Sequence, residues 1–195
     1  MSKSIVIIQG HPDPGGNHFC HALADAYAAG AQEVGHRVES IPVAELEFPI
    51  LRTKAEFESW TVLPAIQRCQ DMIRTADHLL ILYPLWLGTM PALLKAFFEQ
   101  VFRPGFAFAA AAPGRMWKKQ LTGKSARIVV TMGMPAFFYR WYFGAHGLKS
   151  LERNILGFAG IGPIRESLFG MIEGGSDAKR RRWLEGMRAL GKQAR

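Results

Sequence analysis

Cysteine is nearly missing from this chain of 195 residues: only Cys20 and Cys69 are present. They form no CxxC pair and no spaced framework of the kind that staples a small secreted fold, so a reducing compartment is expected. Long apolar runs are missing too. The first, Ile5 to Ile8, is too brief for a signal-peptide core and far short of a membrane span, which points to the cytoplasm and to no integral membrane segment. The sequence also lacks GxGxxG and GxxxxGK[ST], disfavouring a Rossmann dinucleotide site and a nucleotide triphosphatase. Its nearest approach to the second is Gly123-Lys124-Ser125, but Lys118 stands where the earlier glycine belongs and a strand follows instead of a helix. With no repeat, low-complexity tract or linker, the chain reads as one domain, residues 1–195.

What is present suits a folded domain. A hydrophobic fraction of 49% with 21% charged residues is ordinary for a globular protein able to bury a sizeable core. The net charge of +8 favours acidic partners, a condition that a phosphate-bearing cofactor satisfies as well as nucleic acid does. Much of the excess sits near the end, in Lys179, Arg180, Arg181, Arg182, Arg188, Lys192 and Arg195. There Trp183, Leu184, Met187 and Leu190 recur at helical spacing, so the segment reads as an amphipathic surface helix capped by Ser176 or Asp177. A solvated face is the expectation; nucleic acid is not an expected partner, and contact with an anionic membrane surface is the alternative.

Along the chain, short β-like runs alternate with helical stretches. Strands are expected at Ile5 to Gln9, His36 to Val43, His78 to Tyr83, Ala126 to Thr131 and Ile164 to Phe169. Helices are expected at Phe19 to Val34, Trp60 to Arg74 beginning at Ser59, Pro91 to Phe102 and Gly147 to Phe158. Met132 to Phe143 reads as a long aromatic loop. Apolar strands in alternation with helices imply an α/β fold with a parallel sheet covered on both faces. Five strands suggest a flavodoxin-like three-layer sandwich of order 2-1-3-4-5, which binds ligands outside the carboxyl ends of its strands.

Three loops therefore carry the candidate residues. The first, Gly10-His-Pro-Asp-Pro-Gly-Gly-Asn-His-Phe19, leads from a strand into a helix N-terminus, where unpaired N–H groups and the helix dipole attract phosphate, with His11 and His18 as added donors. His11, His18, Cys20 and His21 have side chains suited to zinc, but their spacing supplies no full ligand set, so no metal is expected. The second, Tyr83 to Pro91, can offer an apolar wall and backbone donors to a flat heterocycle, with Gly88 permitting close approach. The third leaves Thr131 through Gly133 into Phe137-Phe-Tyr-Arg-Trp-Tyr-Phe143, followed by His146. So many rings outside a periodic segment need cover from a core, a ligand or a second subunit.

The stretch Tyr83-Pro-Leu-Trp-Leu-Gly-Thr-Met-Pro-Ala-Leu-Leu-Lys-Ala-Phe-Phe-Glu-Gln-Val-Phe-Arg-Pro-Gly-Phe-Ala-Phe108, with the Gly10-His-Pro-Asp-Pro start, resembles the flavodoxin-like NAD(P)H:quinone oxidoreductases. That family holds the DT-diaphorase type enzymes and small bacterial quinone reductases. The resemblance runs from the first strand to about Phe169. It implies FMN, with FAD as the alternative, its phosphate near His11, His18 and Phe19. The ring would lie against Pro84, Leu85, Trp86 and Leu87, with Thr131 and Gly133 as the second ring-contacting loop. It further implies NAD(P)H as electron donor, hydride transfer through flavin N5 to a quinone-like acceptor, a homodimer, and His146 as a catalytic donor. Two positions depart from the family. The phosphate loop lacks the usual Ser or Thr and has His18 nearby, and the tyrosine expected six residues before the histidine is Arg140. Tyr139 and Tyr142 stand next to that place, and Tyr142 is taken with His146 as the catalytic pair. The rival readings are an electron carrier without its own substrate and a regulatory flavoprotein subunit of a membrane transporter.

Overall fold

Strands buried on both faces set the layers of this protein. The computed structural model describes residues 2–109 and 117–195. Five parallel strands, β1 (Ser4–Gln9), β2 (Arg37–Pro42), β3 (His78–Pro84), β6 (Ser125–Met132) and β7 (Ile164–Gly170), pair in the order β2-β1-β3-β6-β7. Counted along this sheet alone, that is the expected order 2-1-3-4-5. Two further strands, β4 (Phe108–Ala109) and β5 (Lys118–Lys119), pair antiparallel as a small separate ribbon.

Alternate side chains of one strand enter opposite cores, because successive Cβ atoms point to opposite faces. Ile5 and Ile7 join Leu80, Leu82 and Val129 under α1 (Phe19–Glu33) and α8 (Asp177–Gln193). Val6 and Ile8 join Leu79, Ile81, Ile128 and Val130 under α3 (Pro64–Thr75), α4 (Ala92–Val101) and the segment from α6 (His146–Ser150) through π-helical Leu151–Leu156 to α7 (Gly157–Ala159). That composite segment occupies the place of the helix expected over Gly147 to Phe158.

Four expectations shift. The helix expected from Ser59 begins at Pro64, because the ring of Pro64 suits the first helical turn while it keeps Leu63 extended. The polar loop before it holds α2 (Lys54–Glu58), started by a capping box in which Thr53 and Glu56 satisfy each other's backbone N–H groups. The aromatic segment contains α5 (Ala136–Trp141). The β4–β5 ribbon is too short to register as a pattern.

The α1–α8 contact is closer than side chains allow. A Cβ on Gly30 would stand 2.0 Å from the Arg188 carbonyl oxygen, and one on Gly191 would stand 2.1 Å from that of Tyr27. Arg188 and Lys192 then reach Glu33 across the seam, each at 2.7 Å. Gly30→Ala should cost about 1–3 kcal/mol through overpacking. Gly186→Ala, on the same helix with nothing within 4 Å of the added carbon, should gain about 0.5–1 kcal/mol. Urea unfolding of the two variants checks both signs; equal effects would show that the contact does not constrain the helices.

His78 opens β3 fully buried, its Nδ1 paired with the Ser125 hydroxyl at 2.8 Å and its Nε2 without a partner among the described residues. Burial, aided by nearby cations, lowers its pKa from 6.5 to about 4. The folded state therefore needs the neutral ring, and the unfolded chain binds the extra proton between those values. At about 1.4 kcal/mol per pH unit, stability should fall by about 3 kcal/mol as pH drops from 6.5 to 4. Urea midpoints across that window should show the slope, and His78→Leu should flatten it.

Candidate functional site

The carboxyl ends of β1, β3 and β6 bring the three loops together. Directly after β1, the Gly10 N–H donates to the Leu82 carbonyl at 2.7 Å. A Cβ on Gly10 would stand 2.5 Å from the Leu94 side chain and 2.8 Å from the Leu82 oxygen, so only glycine fits this crossing. Beyond it the loop folds on Asp13. The Gly15 N–H donates to Asp13 Oδ1 at 2.9 Å, and His18 Nε2 lies 2.7 Å from Oδ2. The His11 and His18 rings stack with centroids 3.9 Å apart, and His21 stands edge-on to them at 5.2 and 5.5 Å. Burial, then the neighbouring imidazoles, hold His11 below its ordinary pKa against the raising effect of the Asp13 backbone. The hydrogen bonds from His18 and from the Gly15 N–H hold Asp13 low in turn.

His18 is the N-cap of α1 but its side chain caps nothing. The N–H groups of His18, Phe19 and Cys20 consequently donate to no acceptor among the described residues. Beside them opens a surface groove of about 720 Å³, floored by Phe19 and Ala22 and rimmed by Asp25, Glu173 and Arg180. Among the described residues no three His, Cys, Asp or Glu side chains converge as a metal site.

The second loop is a tight turn. The Leu85 N–H donates to the Thr131 carbonyl at 2.8 Å, and Trp86 and Thr89 exchange N–H to C=O bonds of 2.9 and 3.0 Å. Between them Leu87 has φ 47° and Gly88 φ 82°, the two left-handed positions of a type I′ turn. Leucine is a poor residue there, since left-handed backbone costs about 1–2 kcal/mol for an L-residue. Its side chain is nonetheless wholly exposed, and the N–H groups of Leu87 and Gly88 have no acceptor among the described residues.

The third loop supplies Gly133 and Met134, whose N–H groups are likewise without acceptors among the described residues. Then α5 leaves Phe137, Phe138, Trp141 and Tyr142 in solvent while burying Tyr139. Tyr139 Oη donates to the Gly88 carbonyl and accepts the Leu148 N–H, both at 3.2 Å. His146, at the start of α6, is exposed, with its ring over Gly144. Gly147 lies against Gly88 and Thr89, where a Cβ would come within 2.4 Å of the Gly88 oxygen.

The site residues read from the sequence lie on the loops that leave β1, β3 and β6 and at α5 and α6, with different exposures. His11 and Thr131 are buried, Pro84, Leu85, His18 and Phe19 half-buried, and Trp86, Leu87, Gly133, Tyr142 and His146 exposed. Tyr142 stacks on Phe138 with centroids 4.7 Å apart. Arg140 forms an ion pair with Glu166 on β7. The roles of Asp13 as organiser of the histidines and of the Tyr139 hydroxyl were missed. Asp13 carried a signal, since Asp-Pro-Gly is a turn sequence.

A family model described as a flavodoxin-like fold matches residues 3–191. The chain belongs to that family. Among its relatives, an uncharacterized NAD(P)H oxidoreductase of Haemophilus influenzae is 27% identical over 187 residues, covering 92% of this chain and 90% of that one. A ribosyldihydronicotinamide dehydrogenase-like protein of Penicillium crustosum is 25% identical over 87% of this chain; the match spans 66% of the fungal protein. An ancillary protein of a glutathione-regulated potassium-efflux system from Enterobacter is 37% identical over 75 residues, 38% of each chain. Among solved structures, an NAD(P)H:quinone oxidoreductase from Methanothermobacter marburgensis superposes with a TM-score of 0.83 at 21% identity, covering 100% of both chains. An FMN-dependent NADH-azoreductase from Bacillus anthracis gives 0.76 at 15% identity over 99% of each. These likenesses establish the fold.

The strained turn makes a direct prediction. Leu87→Asn places in the left-handed position a residue that tolerates it, with no burial lost, and should stabilise the protein by about 1 kcal/mol in urea unfolding. A loss of stability would mean that the Leu87 side chain contributes packing.

Proposed function

We propose that this protein is a flavin-dependent NAD(P)H:quinone oxidoreductase that binds FMN in the crevice at the carboxyl ends of β1, β3 and β6. The observation that carries the reading is the distribution of unused backbone donors. One set, at His18, Phe19 and Cys20, lies at the N-terminus of α1, where the helix dipole adds positive potential and a phosphate would find partners. A second set, at Leu87, Gly88, Gly133 and Met134, flanks the half-apolar wall Pro84–Leu87, as the polar edges of a flat heterocycle require. A Cβ on Gly133 would meet nothing, which leaves that backbone edge open. These residues fit a flavin mononucleotide. The names of the Haemophilus and Penicillium relatives, an NAD(P)H oxidoreductase and a ribosyldihydronicotinamide dehydrogenase-like protein, support the oxidoreductase part of this reading.

A bound flavin would supply the redox chemistry, accepting hydride from NAD(P)H and passing it to a quinone-like acceptor. The chain's own part is to hold, orient and shield. His11 and His18 bring donors to the phosphate, with the Asp13 carboxylate fixing the His18 ring. The turn at Leu87 and Gly88 offers its N–H groups to the ring edge. His146, exposed beside that turn, holds a proton for the acceptor oxygen, the role for which Tyr142 is the second candidate. The exposed rings of α5, with Trp86 and Leu87, form an apolar surface at the mouth of the crevice that a second copy of the chain would cover, giving a homodimer.

A second reading, a flavoprotein that regulates a membrane transporter, is favoured by the 75-residue match to the potassium-efflux ancillary protein. The cationic side chains of Arg181 and Arg182 are exposed on α8, although no described helix is long and apolar enough to cross a membrane.

The deciding experiment is an anaerobic absorbance titration of the purified protein with FMN or FAD, then NADH or NADPH, then menadione. Flavin bleaching by the nicotinamide and recovery with menadione, repeated over many turnovers without a partner, is the expected result. Failure to bind either flavin would overturn the reading, and binding without turnover would favour the regulatory one. His146→Ala should lower menadione turnover by about 10²-fold, the lower range for a lost proton donor, with flavin affinity unchanged.

A further inference from the structure

We propose that Tyr139 is a positioning residue: its buried hydroxyl ties the turn Trp86–Thr89 to the start of α6 and so fixes the ring-edge donors of the cofactor crevice. The flavin arm of the inference rests on the reading above; the clamp itself rests on the fold alone.

Tyr139 is the one buried residue of α5, 1% exposed in a helix whose neighbours Phe137, Phe138, Trp141 and Tyr142 face solvent. Burying a phenol without partners is costly, and here the hydroxyl uses both its capacities, donating to Gly88 and accepting from Leu148. Each partner needs it. The Leu148 N–H lies in the first turn of α6, where no intrahelical acceptor exists. The Gly88 carbonyl has no other donor among the described residues.

The Gly88 carbonyl belongs to the same peptide plane as the Thr89 N–H, which closes the turn on Trp86 at 3.0 Å. Holding that oxygen therefore fixes the plane on which the Leu87–Gly88 turn depends. Gly147 presses on the same oxygen from the α6 side, with no room for a side chain between them. Burial also raises the Tyr139 pKa, so the phenol stays protonated and keeps donating at neutral pH. Leu87 and Gly88, both left-handed and both exposed, have no other side chain bonded to them among the described residues. Without the clamp, this turn would relax its strain by moving.

Tyr139→Phe removes both bonds while conserving the ring. In the flavin-free variant, amide exchange at Leu148 and Thr89, followed by NMR, should accelerate about tenfold, the size expected for one lost hydrogen bond. In the loaded protein, fluorescence titration should show the Kd for FMN and the Kd for riboflavin rising by the same factor of about ten, because the clamp acts on the ring edge and not on the phosphate. Arg140→Gln, which breaks the ion pair to Glu166 from the same helix, should leave both flavin affinities unchanged.

Unchanged exchange in Tyr139→Phe would overturn the clamp. Wild-type flavin affinities in Tyr139→Phe, or equal weakening by Arg140→Gln, would overturn its positioning role. A wild-type protein that binds neither flavin would sink the reading above and leave the exchange measurement as the test of the clamp. Should the variant fail to fold, wild-type exchange decides: the Leu148 N–H must be protected relative to that of Gly147, which has no acceptor among the described residues, and equal rates would refute the bond.

Discussion

The pairing of β1 with β3 is the constraint on which the crevice depends. These neighbours run parallel in register from Ile5 opposite His78 to Gln9 opposite Leu82, and the Gly10 N–H extends the ladder by one more bond to Leu82. Beyond that point the two chains leave for opposite faces of the sheet, β1 into α1 and β3 into α4. Parallel strands whose connections part in this way leave a gap at their carboxyl ends. Gly10 keeps the gap narrow, since Leu94 of α4 fills the space a side chain would take. The same divergence leaves the N-terminus of α1 open, because no residue returns from β3 to cap it.

Electrostatics in the first loop follows from that opening. An uncapped helix N-terminus is a positive site, and three imidazoles gathered there add hydrogen-bonding groups. Asp13 offsets this by bonding His18 and the Gly15 N–H, which holds the loop together. A serine or threonine would supply a neutral donor at such a place. His18 instead supplies an imidazole bonded to the Asp13 carboxylate, and there the chain departs from the family pattern.

Much of the fold was legible because the strands are buried on both faces. His78 to Tyr83 and Ala126 to Thr131 are apolar nearly throughout, which marks a covered parallel sheet, and all five strands of that sheet fell close to where their runs predict. The loops at their ends were legible as the candidate region, because ligands of such sheets bind outside the carboxyl ends of the strands. Less visible were features set by tertiary context. The aromatic segment hides α5 because only Tyr139 faces inward, so the helix shows no apolar stripe. The type I′ turn is masked by leucine at a position where asparagine or glycine would announce it. Asp13 and Tyr139 act through backbone groups of residues far apart in sequence or in a turn too irregular for a periodic signal.

The two walls of the crevice are built on different physical terms. The α1 side is secured by the glycine seam with α8 and by helix geometry, so its donors are fixed by packing that extends through one whole layer. The side facing it is a strained turn carrying two exposed apolar residues, held at one carbonyl by one phenol and pressed by one glycine. Strain of this kind persists only where surrounding contacts over-determine it. A phosphate held as proposed at α1 would take its position from the rigid layer. The donors proposed for the ring edge have no such support, and the geometry of this turn therefore rests on a few local bonds at the junction of β3, α5 and α6.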